Sequence, residues 1–139
     1  MKKNLLHLVG IGAGLLIVVT LIYAATENRI TEIRKEGEIT KFLQESPLVL
    51  IEFYSPSCPV CNAFKKKRIF PDSAAQLPHV KFAMISSDEG EALHHAHKIT
   101  QFPTFIYFKD GKEIKRDVGY IENPMFAQKV SAAFGSAQP

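Results

Sequence analysis

The chain has 139 residues, a formal charge of +3, 46% apolar residues and only two cysteines. That is one domain with a short appendage, and it excludes an acidic disordered tail, a collagen-like chain and a disulfide-dense scaffold. Lys2 and Lys3 lie ahead of the rest; the other basic residues nearly balance the 14 acidic ones, which leaves no electrostatic footprint for nucleic acid.

Leu5 to Ala25 is 21 residues without a charge. As a helix rising ~1.5 Å per residue it covers ~31 Å, about the hydrocarbon thickness of a bilayer. His7 near one end and Tyr23 near the other suit the two interfaces. Residues 1–26 are therefore read as a signal anchor that holds the chain to the membrane through Leu5–Ala25, and 27–139 as the folded domain. A cleaved signal peptide, giving a secreted domain, is the main alternative. Met1–Asn4 resembles its basic start, but the apolar run exceeds the usual ~7–15 residues, and Ile22–Thr26 match Ala-x-Ala poorly. A buried core helix is a third reading. Lys2 and Lys3 argue for an inside N-terminus, while Arg29, Arg34, Lys35 and Lys41 follow the span, so basic residues alone do not orient it. Large domains translocate regardless of charge, and the domain is placed outside the cytoplasm, on the periplasmic side of a bacterial inner membrane. Gly10 and Gly14 have GxxxG spacing, with ordinary transmembrane glycines as the simpler reading.

Beyond the span, strand and helix signals alternate. Arg29–Ile33 reads as an edge strand and Glu38–Glu45 as a helix with Ile39, Phe42 and Leu43 on one face, stopped by Ser46-Pro47. Leu48–Tyr54 is almost wholly apolar, the pattern of a central strand covered on both faces. A turn at Ser55-Pro56-Ser57 leads into a helix from Cys58-Pro59 to about Phe70, broken by Pro71-Asp72, with a short extra turn at Ser73–Leu77. Val80–Ser86 is a strand, Glu91–Lys98 a helix, and Phe105–Lys109 and Glu113–Gly119 a hairpin turned at Asp110-Gly111. Asn123 caps a last helix carrying Phe126, Val130 and Phe134. The sum is an α/β domain with a mixed sheet.

The chemistry lies in Cys58-Pro59-Val60-Cys61. Half of a zinc site would need a second ligand pair, and no further cysteine exists. Inert core thiols would not be expected around a proline after a strand. A redox pair fits: Cys58 falls at a helix N-cap, where the terminal N–H groups and dipole favour a thiolate, and Cys61 one turn in. Cys58 is then the nucleophile and Cys61 the buried thiol that resolves a mixed disulfide.

Here the chain resembles the thioredoxin superfamily, from about Arg29 to Phe134. Ile51–Cys58 looks like the strand and turn entering its active site, Phe102-Pro103-Thr104 like its cis-proline loop, Lys109–Lys112 like its hairpin turn, and Gly119 like the glycine ending the next strand. The resemblance implies a thioredoxin-like fold, a central mixed sheet flanked by helices. It also implies a cis Pro103 facing the cysteines, with Phe102, Pro103 and Thr104, together with Pro59 and Val60, contacting an extended substrate segment. Glu52, six residues before Cys58, corresponds to the buried acid thought to deprotonate the resolving cysteine; inside an apolar strand it should be protonated or paired. Three departures stand out. Ser57 replaces the usual tryptophan, Met84 occupies the position of the lysine that often partners the buried acid, and the dipeptide between the cysteines is Pro-Val. Lacking a histidine there, the couple is expected to be less oxidising than that of the Pro-His oxidases.

His94, His95 and His97 share one expected helix and are read as a solvated face rather than metal ligands, and Lys65–Arg68 likewise as a solvated face that can attract an acidic partner or lipid headgroups. The function expected is a membrane-anchored thiol-disulfide oxidoreductase that reduces protein disulfides, draws on a membrane electron donor or acceptor, and needs no cofactor or metal. A disulfide oxidase or isomerase, a peptide-binding module without turnover, and a metal-handling protein are the alternatives.

Overall fold

The computed structural model describes residues 30–122 and 124–135. The Leu5–Ala25 span and the Asn123 cap lie outside the described residues. Among those described, no helix is long and apolar enough to cross a membrane.

Five strands form one mixed sheet: β1 (Ile30–Glu32), β2 (Leu48–Tyr54), β3 (Lys81–Ser86), β4 (Thr104–Lys109) and β5 (Lys112–Val118), in spatial order β1-β3-β2-β4-β5. β1 and β2 run parallel to β3, while β4 runs antiparallel to both β2 and β5. Between them lie α1 (Glu36–Gln44), α2 (Pro59–Lys66), α3 (Ile69–Gln76), α4 (Glu91–Ala96) and α5 (Met125–Phe134). β2 is central, as its apolar run predicts, and β1 is the expected edge. The hairpin turns at Asp110 and Gly111, both at positive φ (50° and 75°), the backbone that a two-residue turn between right-twisted strands requires.

Side-chain alternation along β2 divides the core. Leu48 and Leu50 enter a cluster with Phe64 of α2, Phe70 of α3 and Phe126, Val130 and Phe134 of α5. Val49, Ile51 and Phe53 enter the other, with Ile39 and Phe42 of α1 and Leu93 of α4. The first layer is an aromatic network: Phe126 lies 4.9 Å from Phe105 and 5.1 Å from Phe64, ring to ring, distances at which aromatic pairs add to plain burial. By the same period of two, Glu52 belongs to the layer of Leu48 and Leu50.

The helix after the cysteines departs from expectation. It ends at Lys66, before Pro71, and Arg68 takes a left-handed φ of 54° ahead of a full second helix, α3. Pro71 is the third residue of α3, where a helical N–H has no intrahelical acceptor to lose, so it opens the helix instead of breaking one. α1 also begins two residues earlier than the apolar pattern suggests, because the Glu38 carboxylate accepts from the N–H groups of Arg34 (2.8 Å) and Lys35 (3.3 Å).

Candidate active site

The central strand β2 ends at the Ser55-Pro56-Ser57 turn, which hands the chain to α2. The Cys58 N–H donates to the Ser55 carbonyl at 3.1 Å, and Asn62 Nδ2 donates to the Pro56 carbonyl at 3.1 Å, closing the turn. Cys58 is the N-cap of α2 with extended backbone (φ −80°, ψ 118°), and Pro59 is the first helical residue, where its missing N–H costs nothing. The Cys61 N–H donates to Cys58 Sγ at 3.3 Å.

The two thiols differ in setting. Cys58 is half-buried and Cys61 is 3% exposed. Burial raises the Cys58 thiol, but the Cys61 thiol and the N–H groups of Cys61 and Val60 outweigh it, and the net shift is downward. Burial and the hydrogen bond with Cys58 push the Cys61 thiol up to about 12. A proton is therefore easily lost at one sulfur and held at the other, the asymmetry that a two-step exchange needs.

Opposite the cysteines, the Phe102-Pro103 peptide is cis. Cys58 Sγ donates to the Phe102 carbonyl at 3.7 Å, which places that backbone beside the thiol. The Gly119 N–H donates to the Pro103 carbonyl at 2.9 Å, and Thr104 Oγ1 to the Gln101 carbonyl at 2.7 Å, so the loop is held from both sides. Pro59 and Val60 are exposed, Val60 by 40%, and form the open lip of the site. Thr104 is 2% exposed, so its side chain serves the loop rather than the surface.

Glu52 lies beneath, 2% exposed, paired in register with Met84 of β3 on one side and Phe105 of β4 on the other. Burial pushes its carboxyl up to about 8, while Lys65 pulls it back and Cys58 adds to the rise. Glu52 is thus a buried carboxyl whose proton is held more tightly than usual.

The folded chain matches the thioredoxin family model over residues 30–132. The chain belongs to the thioredoxin family. It is 28% identical over 102 residues to thioredoxin of Mycoplasma pneumoniae, covering 73% of this chain and 98% of that protein. It is 38% identical over 74 residues to thioredoxin of Chlamydia pneumoniae, covering 53% and 71%. Its fold is shared with mitochondrial thioredoxin 3 of Saccharomyces cerevisiae in its oxidised form, at 24% identity and a TM-score of 0.64 over 75% of this chain and 94% of that one. The chain is thus a thioredoxin-type thiol-disulfide oxidoreductase, and the family implies protein disulfides as substrates.

Two residues that the sequence reading set apart from the site lie beside it. His94 is not on a solvated face: it is 6% exposed, with its ring 5.3 Å from Phe53 and 5.2 Å from Phe102. The cause is tertiary, since α4 is short and turns Leu93 and His94 together onto the sheet. His95 does face solvent. Among the described residues no group of three or more ligating side chains could hold a metal. The second residue is Lys65, which shares a cavity with Glu52. Its position four residues after Cys61, on the same side of α2, was a signal available in the spacing.

Proposed function

We propose that this thioredoxin-family protein reduces disulfides in other proteins with Cys58 as nucleophile and Cys61 as resolving thiol. The observation that carries the reading is the opposed shift of the two thiols, Cys58 down and Cys61 up to about 12, at the first turn of α2. The Cys58 thiolate attacks one sulfur of the substrate disulfide, the S–S bond breaks, and the first substrate sulfur leaves as a thiolate. Cys61 gives up its proton, and its thiolate attacks Cys58 Sγ. The mixed disulfide breaks, the second substrate thiolate leaves, and Cys58–Cys61 becomes the disulfide that holds the oxidation. Two electrons have moved to the substrate. Glu52, in its ionised form, is the acceptor for the Cys61 proton: it is buried, its charge acts on that thiol, and with its carboxyl near 8 a fraction of it is ionised around neutrality.

An extended substrate segment lies along Phe102, Pro103 and Thr104, pairing with the backbone next to Cys58 as one strand beside another, with Pro59 and Val60 contacting its side chains. The domain, residues 27–139, is tethered by Leu5–Ala25 outside the cytoplasm and is re-reduced by a membrane donor protein, because a soluble cytosolic reductase has no access there. The uncharged span and the lysines before it support this reading. A midpoint potential of the couple near the glutathione poise or lower accords with reduction; one far above it turns the assignment to an oxidase or isomerase.

The experiment is a pair of variants in an insulin-type turbidity assay. Cys58→Ser removes turnover altogether, and Cys61→Ser accumulates a mixed disulfide on Cys58 detectable by intact-mass measurement. Residual turnover in Cys58→Ser, or trapping on Cys61 instead, overturns the assignment. Peptide binding that survives Cys58→Ser in a protein without turnover would select the binding-module alternative. A C-terminal topology reporter tests the compartment.

A further inference from the structure

Glu52 lines a cavity of about 420 Å³ beside the active-site helix. Five other polar or charged positions and one apolar one matter to what happens inside it. β1 contributes Glu32, β2 contributes Tyr54, the turn after α2 contributes Arg68, and α2 itself contributes Lys65. β3 contributes Met84, directly across the sheet from Glu52 and without a charge. Cys58, at the cap of α2, is the remaining ionisable group whose charge is felt by Glu52.

Most of these groups have other engagements. Glu32 pairs with Arg34 at 3.1 Å and accepts from the Tyr54 hydroxyl at 3.4 Å. Arg68 lies 3.7 Å from the Asp72 carboxylate. Met84 offers no compensation to a charge on its cross-strand neighbour. Lys65 is the cation that acts on Glu52 against the effect of burial. An ionised carboxylate in an apolar wall is strongly disfavoured; a cation across a solvent-accessible cavity offsets part of that cost without an inflexible contact. A carboxyl that exchanges protons during a thiol reaction needs both forms within reach near neutral pH.

We propose that Lys65 is the positioning residue for Glu52: from α2 it shares the cavity with the carboxyl and sets how readily that group releases and regains its proton, a task for which the neighbouring strand supplies only Met84. The proposal deepens the reading of Glu52 as proton acceptor for Cys61 and rests on it for its consequence in the reaction.

The test follows the carboxyl itself. The full-length reduced protein is labelled with ¹³C at glutamate side chains, Glu52→Gln assigns the signal, and the titration midpoint is read by NMR. Lys65→Met is expected to raise the midpoint by about half a pH unit, a roughly threefold increase in proton affinity, a modest value because Lys65 is solvent-exposed and screened. Lys65→Arg keeps the wild-type midpoint, since charge rather than ammonium geometry is at work. Lys65→Met/Met84→Lys moves the midpoint back down, and added salt moves the wild type towards Lys65→Met. Arg68→Met has the smaller effect of the two single cation removals. A Lys65→Met midpoint that superposes on wild type, or an Arg68→Met shift as large as that of Lys65→Met, overturns the proposal. In parallel, the rate at which Cys61 attacks a preformed Cys58 mixed disulfide is measured against pH. Should the midpoint move while this profile stays fixed, the Lys65 assignment stands and the proton role of Glu52 falls.

Discussion

The two faces of β2 end differently at the active site. On the face of Leu48 and Leu50 the last inward residue is Glu52, under the cysteines and beside a cavity that also holds Lys65. On the face of Val49 and Ile51 the last is Phe53, against His94 and, through it, Phe102 of the cis-proline loop. Each face thus leads from ordinary core to one buried titratable group, and burial keeps both uncharged: the Glu52 carboxyl is pushed up to about 8 and the His94 imidazole is held below its usual range. The difference is in what surrounds them. Glu52 has a cation and a cavity, so its proton has somewhere to go. His94 Nε2 is 3.3 Å from the Ile85 carbonyl while Nδ1 has no hydrogen-bond partner among the described residues, so its ring is part of the packing. One group faces a cavity and a cation, and the other is packed against a loop.

The largest effects separate the two layers as packing units. Phe126→Ala opens a hole among Phe64, Phe70 and Phe105, and is expected to cost about 3–5 kcal/mol, read as a fall in the denaturant midpoint at unchanged slope. Leu93→Ala on the other face removes a smaller side chain from a more aliphatic cluster, and about 2–3 kcal/mol is expected. Equal losses would mean that the aromatic network adds nothing beyond volume.

Next comes Glu52 as a stability determinant. Its folded-state value, about 8, lies above the ordinary 4.5, so the folded chain binds the proton more tightly than the unfolded one. The contribution is fully present below about pH 4.5 and is lost as pH rises through 8. Over that window wild type should lose several kcal/mol relative to Glu52→Gln, measured by urea unfolding at several pH values. Parallel wild-type and variant curves would place the carboxyl in water rather than in the sheet.

How much of this was legible beforehand follows from the range over which each feature is determined. The strand Leu48–Tyr54, the Asp110-Gly111 turn and the cap position of Cys58 rest on neighbours within a few residues, and their sequence reading agrees with the fold. Pro71 misled because a proline is a breaker inside a helix but harmless in its first turn; which applies depends on Arg68 adopting a left-handed backbone, and no nearby residue announces that. His94 was taken for surface because a six-residue helix with two histidines, and a third at its C-cap, has no apolar stripe to orient it, and only docking on Phe53 and Phe102 decides its face. The partnership of Glu52 with Lys65 joins a strand to a helix 13 positions later, so it depends on how α2 lies across the sheet.

The smallest effect concerns His94. Its folded value is depressed, by burial first and then by His97, whereas the hydrogen bonds to Ile85 and Ser86 work the other way. A depressed value means that the unfolded chain takes up the proton first, so this contribution is present above the ordinary 6.5 and is lost as pH falls below it towards the folded value. This window overlaps the one over which Glu52 acts, pH 4.5 to 8, and the two contributions run in opposite directions there, the His94 one growing and the Glu52 one shrinking as pH rises. His94→Phe keeps an aromatic ring between Phe53 and Phe102 and removes the unpartnered Nδ1. It should reduce the loss of stability as pH falls below 6.5, by roughly 1 kcal/mol or less, and leave the Glu52 contribution in place. Because the ring also backs Phe102, whose carbonyl accepts from Cys58 Sγ, the same variant should hold its disulfide-reduction rate at pH 5.5 better than wild type does. An acid limb unchanged in His94→Phe would mean that the imidazole protonates freely in the folded chain and that the loop, rather than the histidine, yields.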